Sequence, residues 1–129
     1  MRHRLEKYLE WLTENFEPLL VVVFGSYVRG EWTEYSDVDV LVVSRKLSSD
    51  AAENYGVLKR PGVDPIGYSP EAFLQEIARP NLLVFDALEY GQVKAADREF
   101  LEKAINLFRE TKQRLGLTWT GETWRWKTA

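Results

Sequence analysis

Phe24-Gly25-Ser26-Tyr27-Val28-Arg29-Gly30, followed six residues later by Asp37-Val38-Asp39-Val40-Leu41-Val42-Val43, decides the reading of this chain. A continuous apolar run, Leu19 to Phe24, leads into the Gly-Ser pair, and ten residues after Ser26 an Asp-x-Asp opens a second apolar run. Val-rich runs without polar alternation mark strands covered on both faces. Gly25 lets backbone come close to an anion, and a short helix over Ser26 to Gly30 would aim its first N–H groups at it. The Ser26 hydroxyl adds a donor, and Arg29, one turn on, adds a guanidinium fork. Residues two apart on a strand share a face, with Cα atoms about 6.5–7 Å apart. The carboxylates of Asp37 and Asp39 can thus converge on one metal ion, or bracket two ions about 3.5–4 Å apart. Magnesium suits such a site, because it takes oxygen ligands and completes its shell with water and phosphate.

Outside this stretch the composition mainly excludes. The 129 residues are enough for one domain with a substantial core. Hydrophobic residues at 45% and charged residues at 29% give a globular rather than a disordered balance. A net charge of -3 without a Lys/Arg block leaves no broad footprint for nucleic acid, so none is expected as a direct ligand. The absence of Cys removes disulfides and thiolate sites and fits a cytoplasmic setting. No run reaches the roughly 20 apolar residues of a membrane span, and the first residues are charged and amphipathic rather than leader-like. His3 is the single histidine and lies far from the motif, which sets histidine catalysis aside.

Leu5, Tyr8, Leu9, Leu12 and Phe16 recur at helical spacing, and Pro18 ends that helix. Val38 to Val43 is a second buried strand, after a loop from Trp32 to Ser36. Ser48-Ser49-Asp50 supplies a helix cap within an irregular stretch from Ser44 to Gly62. Val63 to Tyr68 is a third strand, in which Pro65 demands an edge position or the strand's first residues. Ser69-Pro70-Glu71 opens a helix that stops before Pro80. Leu82 to Tyr90 is apolar enough for a core helix, Gln92 to Ala96 forms a short strand, and Asp97 caps a final helix ending at Gly116. The expected order is α-β-α-β-β-α-α-β-α: an α/β (α+β) domain with a small mixed sheet and helices on one face. A core of about 19–96 is followed by the last helix and a Trp-rich tail, 97–129.

Each motif has a bland counterpart. Asp-x-Asp alone is more readily a solvated strand end, and Gly-Ser alone is an ordinary strand-to-helix turn. Their combination at fixed spacing is much narrower than either half, and favours function. Asp64, in Gly62-Val63-Asp64-Pro65-Ile66, would lie beside the other two acids if its strand pairs with Val38–Val43. It could then ligate metal or take a proton from an acceptor hydroxyl; the alternative is an Asp-Pro turn. Trp119, Trp124 and Trp126, with Arg125 and Lys127, could form a docking surface. Equally, the tail could fold back over the domain's own core, which is the favoured expectation.

Gly25, Ser26, Asp37 and Asp39, with Arg29-Gly30 just after the serine, resemble the signature of the minimal nucleotidyltransferases of the DNA polymerase beta superfamily. That resemblance implies a nucleotidyltransferase fold, with Asp64 in the place of the family's third acid, although Pro65 departs from the pattern. It implies ATP as substrate, two Mg²⁺ ions held by Asp37, Asp39 and Asp64, and a triphosphate held by Gly25, Ser26 and Arg29. It further implies transfer of AMP to a hydroxyl of a partner, since small members act as antitoxins to HEPN-domain ribonucleases and adenylylate them. The catalytic core takes up about 100 residues, so the acceptor is expected on another protein or on a second copy of this one. A small-molecule acceptor, such as an aminoglycoside hydroxyl, and a non-catalytic toxin-binding module are the competing readings.

Overall fold

The computed structural model of the chain describes residues 2–31, 33, 35–121 and 123–125. Twelve elements follow one another among them: α1 (Arg2–Phe16), β1 (Leu20–Phe24), α2 (Ser26–Arg29), β2 (Val38–Val43), α3 (Ala51–Leu58), β3 (Val63–Tyr68), α4 (Pro70–Ala78), α5 (Leu82–Tyr90), β4 (Gln92–Ala96), α6 (Arg98–Leu115), β5 (Thr118–Trp119) and β6 (Trp124–Arg125). The four longer strands form one sheet in the order β3-β2-β1-β4. β1 runs antiparallel to both β2 and β4, whereas β2 and β3 are parallel, so the sheet is mixed as expected.

Every residue of β1 is buried, and its side chains alternate between two cores. Leu20, Val22 and Phe24 join Leu41, Val43 and Tyr68 under α4, α5 and α6 through Phe73, Ile77, Phe85 and Phe108. Val21 and Val23 join Val38, Val40, Val42 and Val63 under α1, through Leu5, Tyr8 and Leu12. The expectation of helices on one face is therefore corrected: helices flank both. The unbroken valine runs already required this, because a sheet bare on one side would alternate apolar with polar residues.

Pro65 sits on the edge strand, where its missing N–H interrupts no second ladder. Gly67 is the point at which α3 meets β3: a Cβ there would run into Leu58, Leu47 and Asn54. The buried Asn54 fastens that junction by donating to the carbonyls of Ser48 and Gly67, 2.9 Å each, and accepting from Ser48 N–H at 3.0 Å. Asp50 caps α3 through Ala52 N–H. The tail folds back. β5 and β6 make a hairpin in which Trp124, buried, lies edge-on to Phe85 and Phe108, while Trp119 packs on Trp124 and Tyr90. Trp32, Glu34, Trp126 and Lys127 lie outside the described residues. Among the described residues no helix is long and apolar enough to cross a membrane.

Candidate active site

The parallel register of β2 and β3 sets Asp39 directly opposite Asp64. Phe24, the last residue of β1, is Asp39's partner on the other side. Odd-numbered residues of β2 and even-numbered residues of β3 face α4 and α5, so both acids stand on the face covered by those helices. Gly25 follows Phe24 with φ +77°, a conformation that L side chains rarely adopt, and a Cβ there would collide with the Asp39 carboxylate. The Gly-Ser bend is thus pressed against the acid that the ten-residue spacing brings round. Val28 and Arg29 donate their N–H groups back to the Gly25 carbonyl, 3.1 Å each, closing the single turn of α2.

Asp39 is partly buried, and its carboxyl is pushed up to about 6, first by desolvation, then by the charge of Asp64 and a hydrogen bond between the two groups. Asp37 adds to the rise and Arg29 opposes it. The pair therefore holds more negative charge in a small space than its surroundings neutralise, the condition that a divalent cation relieves. The donor set is oxygen only, which suits magnesium, and Asp39 and Asp64 fit as its ligands.

Asp37 departs from the expected convergence. Its Oδ2 lies 3.3 Å from Lys59 Nζ, and that ammonium also donates to the carbonyl of Val63 at 2.5 Å. Asp37 precedes β2 and is half-exposed, so nothing in the sheet holds its side chain toward Asp39 and the nearest cation takes it. Among the described residues, no three acidic, His or Cys side chains converge on one point. The structure therefore unites Asp39, Asp64 and the Gly25 bend, and leaves Asp37 on the flank with Lys59.

A cavity of about 560 Å³ opens over this pair, walled by Gly25, Arg29, Asp39, Asp64 and Pro65, with Ala52 and Tyr55 of α3 on one side and Leu83 and Asp86 of α5 on the other. Ser26 heads α2 and is half-buried, but does not contribute to that wall. Arg29 is held between two acids: its Nε is 3.4 Å from Glu31 Oε2, and its Nη1 3.8 Å from Asp86 Oδ2. Asp86 also lines the cavity, and sequence reading misses it: an acid directly after the apolar Leu82, Leu83, Val84 and Phe85 is the available signal. Burial raises its carboxyl while Arg29 lowers it, and Oδ1 is buried without a hydrogen-bond partner. Lys59 carried no comparable signal.

Residues 5–109 match the family model of the nucleotidyltransferase domain. The chain belongs to the nucleotidyltransferase domain family. Two relatives from Methanocaldococcus jannaschii bear the provisional name protein adenylyltransferase. One is 35% identical over 57 residues, 43% of this chain and 39% of its own length; the other is 45% identical over 38 residues, 30% and 44% respectively. The matched segments thus span about two fifths of the curated relatives' length. Solved structures similar to the chain include a provisionally named nucleotidyltransferase from Sulfolobus solfataricus, with TM-score 0.46 and 21% identity over 72% of this chain and 78% of that one. Another is a toxin–antitoxin with AMP-PNP, with TM-score 0.48 and 18% identity over 86% of this chain and 92% of that one. Within the nucleotidyltransferase domain, the Gly25 bend and the Asp39–Asp64 pair are the features to which a reaction can be attached.

Proposed function

We propose that this chain is a magnesium-dependent adenylyltransferase that moves AMP from ATP to a hydroxyl of a partner protein, as an antitoxin modifying a HEPN-type toxin. The observation that carries the reading is the abutment of Asp39 and Asp64, in register across β2 and β3, with the Gly25 bend pressed on the first of them. In this reading Asp39 and Asp64 would hold Mg²⁺, joined by Asp37 once it leaves Lys59, and two such ions would neutralise charge on the phosphates and on the attacking oxygen. Gly25 gives the triphosphate room to approach, and Arg29, steadied by Asp86, supplies the guanidinium. The acceptor oxygen forms its bond to the α-phosphorus as the bond from that phosphorus to the bridging oxygen breaks. Pyrophosphate leaves, and the hydroxyl proton passes to Asp64. Such transfer depends on positioning, so the acceptor must be held in line by something outside the cavity. A partner protein is the natural holder, because the described tail is occupied in covering Phe85 and Phe108.

The test is transfer of label from α-labelled ATP to the protein that co-purifies with the chain. Wild type labels it, and Asp39→Ala and Asp37→Ala do not; undiminished labelling by either variant rejects the assignment. The engagement of Asp37 with Lys59 favours one other reading, a binding module that neutralises its partner by occlusion. Neutralisation that survives Asp39→Ala would select it.

A further inference from the structure

A second cavity lies on the opposite face of the sheet. It measures about 260 Å³ and is lined by Arg4, Lys7, Tyr8 and Trp11 of α1, and by Arg60, Pro61 and Val63 at the entrance to β3. Val63 and Asp64 are neighbours on one strand, so this cavity and the candidate active site back onto each other through the sheet. Three cations edge it, and among the described residues none of them forms an ion pair with a carboxylate, whereas six such pairs occur elsewhere. Arg60 is held in place without an acid: its guanidinium lies 4.0 Å from the Trp11 ring centre, and Nη1 donates to the Lys59 carbonyl at 2.8 Å. Arg4 is packed against Gly62, with Cδ 3.0 Å from where a Cβ would stand. The floor is firm as well, since the buried Tyr8 hydroxyl donates to the Leu58 carbonyl at 2.9 Å. Two elements thus bring three like charges to one small hollow, a repulsive arrangement in a protein whose net charge is -3.

We propose that this hollow is a binding site for a small phosphate-class anion, separate from the triphosphate site at Gly25 and Arg29. Two guanidinium forks and one ammonium match the several charged oxygens of a phosphate or diphosphate better than a single planar carboxylate. The cavity volume suits an anion of that size. One face of Trp11 is already covered by Arg60, so the ring is no open stacking platform for a base. This inference stands independently of the adenylyl-transfer reading, since none of its residues belongs to that site.

Titration calorimetry without divalent metal, using inorganic phosphate, pyrophosphate and a short 5′-phosphorylated oligonucleotide as probes, tests it. Arg29→Gln removes the guanidinium of the triphosphate site, so pyrophosphate binding that persists in this variant belongs to the hollow. Lys7→Gln, Arg4→Gln and Arg60→Gln should each weaken it by about tenfold, as loss of a charge-assisted contact does. Lys7 and Arg4 are exposed, so those two variants keep the assay meaningful should Arg60→Gln disturb Trp11. Pyrophosphate binding that is lost in Arg29→Gln and kept in Lys7→Gln overturns the proposal, as does no binding by wild type. An oligonucleotide bound far more tightly than pyrophosphate also overturns it, because the hollow would then be part of a nucleic-acid surface.

Discussion

Replacing Asp39 by Asn should stabilise the metal-free protein. In the folded chain the Asp39 carboxyl is raised from 3.8 to about 6, by burial first and by Asp64 second. A group raised in this way contributes its stability below about pH 4, and that contribution drains away as pH climbs through about 6. Above pH 7 wild type therefore bears the whole deficit, and the uncharged amide does not. A rise from 3.8 to about 6 corresponds to about 3 kcal/mol at full weight. The carboxyl is only partly buried, so solvent screening reduces this to about 1–1.5 kcal/mol. For a domain of this size that is a rise in Tm of about 4–6 °C. Thermal unfolding of both proteins with chelator, at pH 4 and at pH 8, measures it. The advantage of Asp39→Asn should be present at pH 8 and close to nil at pH 4, and millimolar magnesium should narrow it by stabilising wild type alone. Equal Tm values at pH 8, or a gain that does not depend on pH, would refute the reasoning: the two acids would then not be crowded.

Other outcomes follow from the same geometry. Gly25→Ala places a Cβ against the Asp39 carboxylate at positive φ, and should cost about 1–3 kcal/mol of stability and abolish ATP binding by fluorescence titration. Asp86→Ala frees Arg29 from its inner partner and should raise KM for ATP more than it lowers kcat; a pure kcat effect would assign Asp86 elsewhere. Lys59→Met leaves Asp37 without its ammonium and should tighten Mn²⁺ binding to the apoprotein by about two- to fivefold, as expected for a half-exposed pair, measured by electron paramagnetic resonance. Trp124→Ala opens a cavity beside Phe85 and Phe108 and should lower stability by about 3–5 kcal/mol, with a matching fall in urea midpoint.

Covalent order and side-chain chemistry alone announced much of this. The valine runs before Gly25 and after Asp39 declared two strands buried on both faces, since no polar residue interrupts them to meet water. Gly25 marked a bend that only glycine can make, Pro65 marked a sheet edge, and Asp50, Ser69 and Asp97 marked helix starts, all through local rules of φ, hydrogen bonding and solvation. Long-range juxtaposition lay beyond those rules. Pairing register across β2 and β3 brought Asp64 to Asp39, but residue 37 fell just outside the strand, where a half-free side chain goes to the closest opposite charge, Lys59. Asp86 reached Arg29, and Arg60 reached Trp11, by folding over many residues, contacts that no periodicity encodes. Which helices cover each face, α1 on one and α4 to α6 on the other, arose the same way: it depends on which surfaces remain to be covered once the sheet exists, a property of the assembled chain rather than of any segment.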